Sequence, residues 1–125
     1  MKNNVSNIVL LGHMGSGKST IGKSLAKKLS IDFVDSDYEI EKHTNSKIRE
    51  IFLNQGENQF REIEENIIKQ IFDSKEKKVI ALGGGSFENK NIRALIKGRN
   101  ISIWLKCNIN ILVERLKKNK NRPLL

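Results

Sequence analysis

The residues with the plainest chemical capacity run from Gly12 to Thr20, Gly-His-Met-Gly-Ser-Gly-Lys-Ser-Thr, and fit G-x-x-x-x-G-K-[ST]. Glycines at this spacing let backbone N–H groups curl around phosphate oxygens without Cβ clashes. A helix opening at Lys18 would add unpaired N–H groups and the positive end of its dipole. Gly15, Ser16, Gly17, Lys18, Ser19 and Thr20 are therefore expected to hold ATP. Lys18 is expected to reach the β- and γ-phosphates, and the Ser19 hydroxyl to ligate Mg²⁺. A dinucleotide fingerprint fails, because G-x-G-x-x-G read from Gly15 puts Thr20 at the last glycine.

Two acids, Asp35 and Asp37, end the next apolar run, Ile31-Asp32-Phe33-Val34-Asp35. Alternate residues leaving a strand project differently, so one carboxylate can face a metal and the other a second substrate. A small-molecule kinase needs both: a metal-side carboxylate and a base to accept the hydroxyl proton. Read alone, Asp37 is equally well explained as the N-cap of a helix over 38–43. Arg61 lies near the start of an amphipathic helix and carries the fork that grips a carboxylate. It could instead be a surface charge paired with Glu64 or Glu65. Gly83, Gly84 and Gly85 follow a strand directly, and such a run weakens folding unless backbone must pass close to a ligand. Arg115 and Arg122 come late, the latter with Pro123 after a polar stretch suited to a lid.

The elements that must position these groups alternate in period along the chain. Strands are expected over 7–11, 31–35, 79–82 and 101–105. Helices are expected after Lys18 (Ile21, Leu25, Ala26, Leu29), around Ile48, Ile51 and Phe52 up to Gly56, and from Phe60 to Phe72. Two more are expected around Ile92 and Leu95 and around Ile109 to Leu116. This alternation argues for a parallel α/β sheet with helices on both faces. The isoleucines, phenylalanines and Trp104 are expected in the core.

The whole chain sets bounds. Its 125 residues suit one domain, over 1–125, and 38% hydrophobic with 30% charged residues suit a soluble protein. No apolar run reaches membrane-spanning length, and the single Cys107 fits a reducing cytosol, so a cytoplasmic protein is expected. The net charge of +9 invites a nucleic-acid reading, but the lysines are scattered and no aromatics interleave them. Small anions are the better partners. The GTPase base-reading motif Asn-Lys-x-Asp is absent, and strand 79–82 ends in glycines where a motor ATPase would place an acid.

Taken together, these segments resemble shikimate kinase. The resemblance rests on Gly12 to Thr20, Phe33-x-Asp35-x-Asp37-x-x-Ile40-Glu41, Ile48-x-x-Ile51-Phe52, Gly56-Glu57-x-x-Phe60-Arg61-x-x-Glu64, Gly83-Gly84-Gly85 and Arg122-Pro123-Leu124-Leu125. It implies a P-loop NTPase fold of the nucleoside-monophosphate-kinase type and ATP-dependent phosphorylation of the shikimate 3-hydroxyl by a monomer. It implies Mg²⁺ on Ser19 with Asp35 supporting it through water, and Asp37 on the shikimate hydroxyls as base. It implies Arg61 on the shikimate carboxylate, the glycine triplet lining that pocket, Arg115 on the adenine side and Arg122 as the lid arginine. Family members continue past Arg-Pro-Leu-Leu with a further carboxylate-binding arginine and a fifth strand, so a C-terminal part is expected to be absent and the fourth strand to be an edge. A gluconate-type kinase and a non-catalytic nucleotide-binding module are the alternatives.

Overall fold

The computed structural model describes residues 6–12, 17–98 and 100–105. Four parallel strands form one sheet: β1 (Ile8–Gly12), β2 (Asp32–Asp35), β3 (Lys78–Ala81) and β4 (Ile101–Leu105), in the order β2-β3-β1-β4. Helix α1 (Lys18–Leu29) carries the chain from β1 past the place of β3 to β2. Helices α2 (Ser36–Thr44), α3 (Ile48–Gln55) and α4 (Glu57–Asp73) then lead back to β3. A 3₁₀ turn at Ser86–Glu88 and α5 (Lys90–Ile96) precede β4.

The period of two in β1 sets the layers. Val9 and Leu11 pack with Ile68, Phe72, Ile80, Leu82, Ile92 and Ile96 on the face covered by α4 and α5. Ile8 and Leu10 pack with Ala26 and Val79 on the face covered by α1. Helices on both faces are thus observed as expected. A third cluster, Ile40, Ile51, Phe60 and Ile67, joins α2, α3 and α4 into one block beside the sheet. The buried Asn7 ties the strand starts together: its Oδ1 accepts from Lys78 N and its carbonyl from Ile101 N, both at 2.9 Å.

Four expectations are corrected. Trp104 is 51% exposed and Ile103 37%, and Ile101 is exposed as well, because β4 is an edge strand paired only with β1 among the described residues. The edge itself was expected. On α1 the buried stripe is Gly22 and Ala26, with Leu25 partly buried, while Ile21 and Leu29 flank it in the open. Helix α2 begins at Ser36, so its N-cap is Asp35 and not Asp37. The 3₁₀ turn after the glycines was not foreseen. The expected helix over 109–116 lies outside the described residues, as do Gly15, Ser16, Cys107, Arg115 and Arg122.

Candidate active site

Strands β1, β2 and β3 end together, and the groups singled out above meet beyond their carboxyl ends, the usual ligand side of an open parallel sheet. At β1, Gly12 leads to Gly17, whose φ of +90° turns the chain into α1. Among the described residues no side chain caps the start of that helix, which leaves its first N–H groups to an anion. Lys18 Nζ donates to the Gly12 carbonyl and so points back to the end of β1. Burial lowers the Lys18 pKa, partly offset by the carboxylates of Asp37 and Asp35.

Asp35, the last residue of β2, and Asp37, in the first turn of α2, face different partners. Asp35 Oδ1 accepts from the backbone N–H groups of Asp37 (2.9 Å) and Tyr38 (3.3 Å), which starts α2 and fixes the carboxylate. Its Oδ2 accepts from Ser19 Oγ at 3.2 Å, across the sheet end. Asp37, one helical step on, turns toward the other side. A Cβ built on Gly83 would stand 2.5 Å from Asp37 Oδ1, so only glycine leaves the carboxylate that room. The Asp37 pKa is pushed up to about 6, first by burial and then by the neighbouring Asp35, Glu64 and Glu41 carboxylates, against the opposing pull of Lys18.

Arg61 enters from the first turns of α4. Its Nη1 donates to Glu64 Oε1 at 3.0 Å, and its guanidinium carbon stands 5.3 Å from the Phe60 ring centroid. The expected pairing with Glu64 is observed, and Arg61 also faces the glycine turn. A Cβ on Gly85 would lie 2.8 Å from Nη2. The Arg61 side chain is 35% exposed while that of Glu64 is 2%, so one edge of the fork is anchored and the remainder is accessible. Glu65 pairs instead with Lys69, Asn89 and Asn91. Among the described residues nothing lies within 4 Å of the Cβ position of Gly84, which leaves room there for an incoming molecule.

One turn therefore brings the predicted base and the predicted carboxylate fork against two nearly adjacent glycines. Lys18, the carboxylates of Asp35 and Asp37, and the Ser19 hydroxyl form the neighbouring half of the site. Two participants were not singled out from the sequence: Ser36, whose Oγ accepts from Gly83 N at 3.0 Å, and Ser86, whose Oγ donates at 3.0 Å to Oε2 of Glu64, the buried partner of Arg61. Their only sequence signal is a small hydroxyl placed beside a charged or glycine motif.

The Ser19–Asp35 pair opens on a cavity of about 310 Å³ also lined by Lys23, Tyr38 and Glu39. Glu39 has its Oε2 buried with no hydrogen-bond partner among the described residues. These hard oxygen donors fit Mg²⁺, which takes one or two protein ligands and completes its shell with water and phosphate.

The chain matches the family model for shikimate kinase over residues 14–125. It is 46% identical over 118 residues to the shikimate kinase of Zymomonas mobilis, covering 94% of this chain and 66% of that protein. It is 48% identical over 122 residues to that of Thermodesulfovibrio yellowstonii, covering 97% and 69%. The shikimate kinase of Acinetobacter baumannii, solved in complex with shikimate, superposes with a TM-score of 0.81 at 38% identity, over 98% of this chain and 68% of that one. The chain spans about two thirds of the length of these relatives.

Proposed function

We propose, from the premise that the chain belongs to the shikimate kinase family, that it transfers the γ-phosphoryl group of ATP to the 3-hydroxyl of shikimate. The observation that carries the proposal is the single turn holding Asp37 against Gly83 and Arg61 against Gly85. It supports an acceptor with a hydroxyl at one end and a carboxylate at the other. The reaction forms a bond between the acceptor oxygen and the γ-phosphorus and breaks the bond to the β–γ bridging oxygen. ADP leaves, and the hydroxyl proton passes to the Asp37 carboxylate.

Each residue has a place in that event. The N–H groups opening α1 at Gly17 to Thr20, together with Gly15 and Ser16, cradle the phosphates. Lys18 exchanges the Gly12 carbonyl for phosphate oxygens and offsets their charge. Ser19 and Asp35 would hold Mg²⁺, which supplies charge neutralisation at the β- and γ-phosphates. Asp37, poised near neutrality by burial, accepts the proton. Arg61 orients the acceptor through its carboxylate, with Gly84 leaving room for the ring. Arg122 as lid arginine and Arg115 on the adenine side complete the assignment, on the resemblance alone. Residues 1–125 are assigned to a single P-loop kinase domain of a protein that acts as a monomer in the cytoplasm. Among the described residues no helix is long and apolar enough to cross a membrane.

The test is phosphorus NMR of the full-length protein with MgATP and either shikimate or gluconate. Shikimate should yield ADP and one phosphomonoester in equal amounts. Equal turnover of gluconate, or ADP release that ignores both acceptors, would overturn the assignment.

A further inference from the structure

Burying a polar side chain is costly unless it is used, and the described residues bury four: Asn7, Ser36, Glu64 and Ser86. Asn7 ties the strand starts. The other three string the glycine turn between two helices. Ser36, on α2 immediately before Asp37, holds Gly83 N by its Oγ at 3.0 Å. Ser86, at the far end of the turn, donates its Oγ to Glu64 Oε2 on α4, also at 3.0 Å. The turn is closed on itself by Ser86 N donating to Gly83 O at 3.1 Å. Between the two hydroxyls, Gly83 lies against Asp37 and Gly85 against Arg61.

From this arrangement we infer that Ser36 and Ser86 are positioning residues: their buried hydroxyls fix the span between the Asp37 carboxylate and the Arg61 guanidinium. The site thereby selects acceptors whose hydroxyl and carboxylate stand at one set separation. The physical step is rotamer control. With Oε2 held toward Ser86, the Glu64 carboxylate is set in one orientation that turns Oε1 to Arg61 Nη1, and the rest of the fork keeps one orientation. Without the Ser86 hydroxyl, Oε2 is left unpaired in a buried place and draws a second guanidinium N–H, turning the fork from the acceptor. Ser36 acts at the other end: without its acceptor, Gly83 N is orphaned and the backbone facing Asp37 shifts.

This inference deepens the shikimate reading and rests on it for the identity of the acceptor, so the experiment carries one arm that needs no acceptor. In the ligand-free full-length protein, the Arg61 Nε–H resonance should lose order on Ser86→Ala and keep it on Ser36→Ala. In turnover, Ser86→Ala should raise KM for shikimate about tenfold, the equivalent of one lost buried hydrogen bond. Its KM for ATP should stay within about twofold, and Ser86→Thr or Ser86→Cys should recover part of the loss. A carboxylate-free analogue of shikimate should be indifferent to Ser86→Ala and weakened by Ser36→Ala. An unchanged Arg61 resonance in Ser86→Ala overturns the inference. So does a parallel rise in both KM values with a lowered melting temperature, which would mark packing alone. A loosened Arg61 in a protein whose wild type takes no shikimate supports the positioning role and overturns only the acceptor.

Discussion

At the level of single residues, the site depends on two carboxylates two positions apart that end in opposite roles. Asp35 is spent on the α2 cap and on Ser19, while Asp37 is buried beside other acids and held near pH 6. The kcat/KM for shikimate should therefore fall below about pH 6 as Asp37 takes up its proton, and Asp37→Asn should lower kcat by about 10²-fold or more. Stability runs the other way. A carboxyl whose folded pKa lies above its unfolded value of 3.8 favours the fold only while protonated, and that contribution is lost as pH rises from 3.8 through about 6. Asp37→Asn should thus stabilise the metal-free protein by about 1 kcal/mol at pH 7, after discounting for the partial exposure of the group. The gain should vanish near pH 4, which urea titrations at both pH values would measure. A variant less stable than wild type at pH 7 would mean that the carboxylate is stabilised by a partner.

Arg61 is the residue on which the acceptor class turns. Arg61→Ala should weaken shikimate binding by about 2–4 kcal/mol, since it leaves a desolvated carboxylate unpaired. Lysine there should recover only part, for want of the planar fork. Calorimetry with a carboxylate-free analogue supplies the control; equal weakening of both ligands would assign Arg61 to packing through Glu64. Lys18→Ala should abolish phosphoryl transfer with the melting temperature nearly unchanged, as among the described residues its amine is hydrogen-bonded only to the Gly12 carbonyl. A folded Lys18→Ala protein with near-normal turnover would remove the P-loop from the mechanism.

Elements decide whether these residues meet, and here the sequence was informative to different depths. Strong periodic segments were legible: α4 carries its stripe at Phe60, Ile67, Ile68 and Phe72, and β1 its continuous apolar run. Boundaries set by side-chain chemistry were less so. The α2 cap moved from Asp37 to Asp35 because either acid can accept first-turn N–H groups, and only the fold shows which one lies outside the helix. Ser36 and Ser86 gave no periodic signal, since their importance comes from partners in α4 and the glycine turn. Gly22 was also silent, although it lets α1 approach β2: a Cβ there would stand 2.3 Å from the Phe33 ring and 3.1 Å from Leu10 Cδ1. Gly22→Ala gains about 1 kcal/mol of helix propensity but overpacks the contact at a cost of about 1–3 kcal/mol. The expected result in urea unfolding is a net loss of up to about 2 kcal/mol. A more stable variant would show that Phe33 swings aside at no cost.

For the molecule as a whole, the parallel sheet is asymmetric. Its middle strands β3 and β1 are closed on both faces by helices, whereas β4 leaves Ile101, Ile103 and Trp104 exposed. The expectation that Trp104 belongs to the core failed for this reason: an apolar β-branched run reads alike in a central strand and at an edge, and only the strand order separates them. The asymmetry has an energetic consequence. Ile80 is fully buried, so Ile80→Ala forfeits the transfer energy of its side chain and leaves a cavity, about 2–5 kcal/mol in all. Ile103, 37% exposed, has less to lose and room to relax, so Ile103→Ala should cost about 1 kcal/mol or less. Urea midpoints of the 125-residue chain, followed by far-ultraviolet circular dichroism, would give both values, and emission of Trp104, the single tryptophan, would report β4 separately. A red-shifted, readily quenched emission in the folded protein is expected. If Ile103→Ala proved as costly as Ile80→Ala and the emission were blue-shifted, something packs on β4, and the sheet's outer boundary would have to be drawn beyond it.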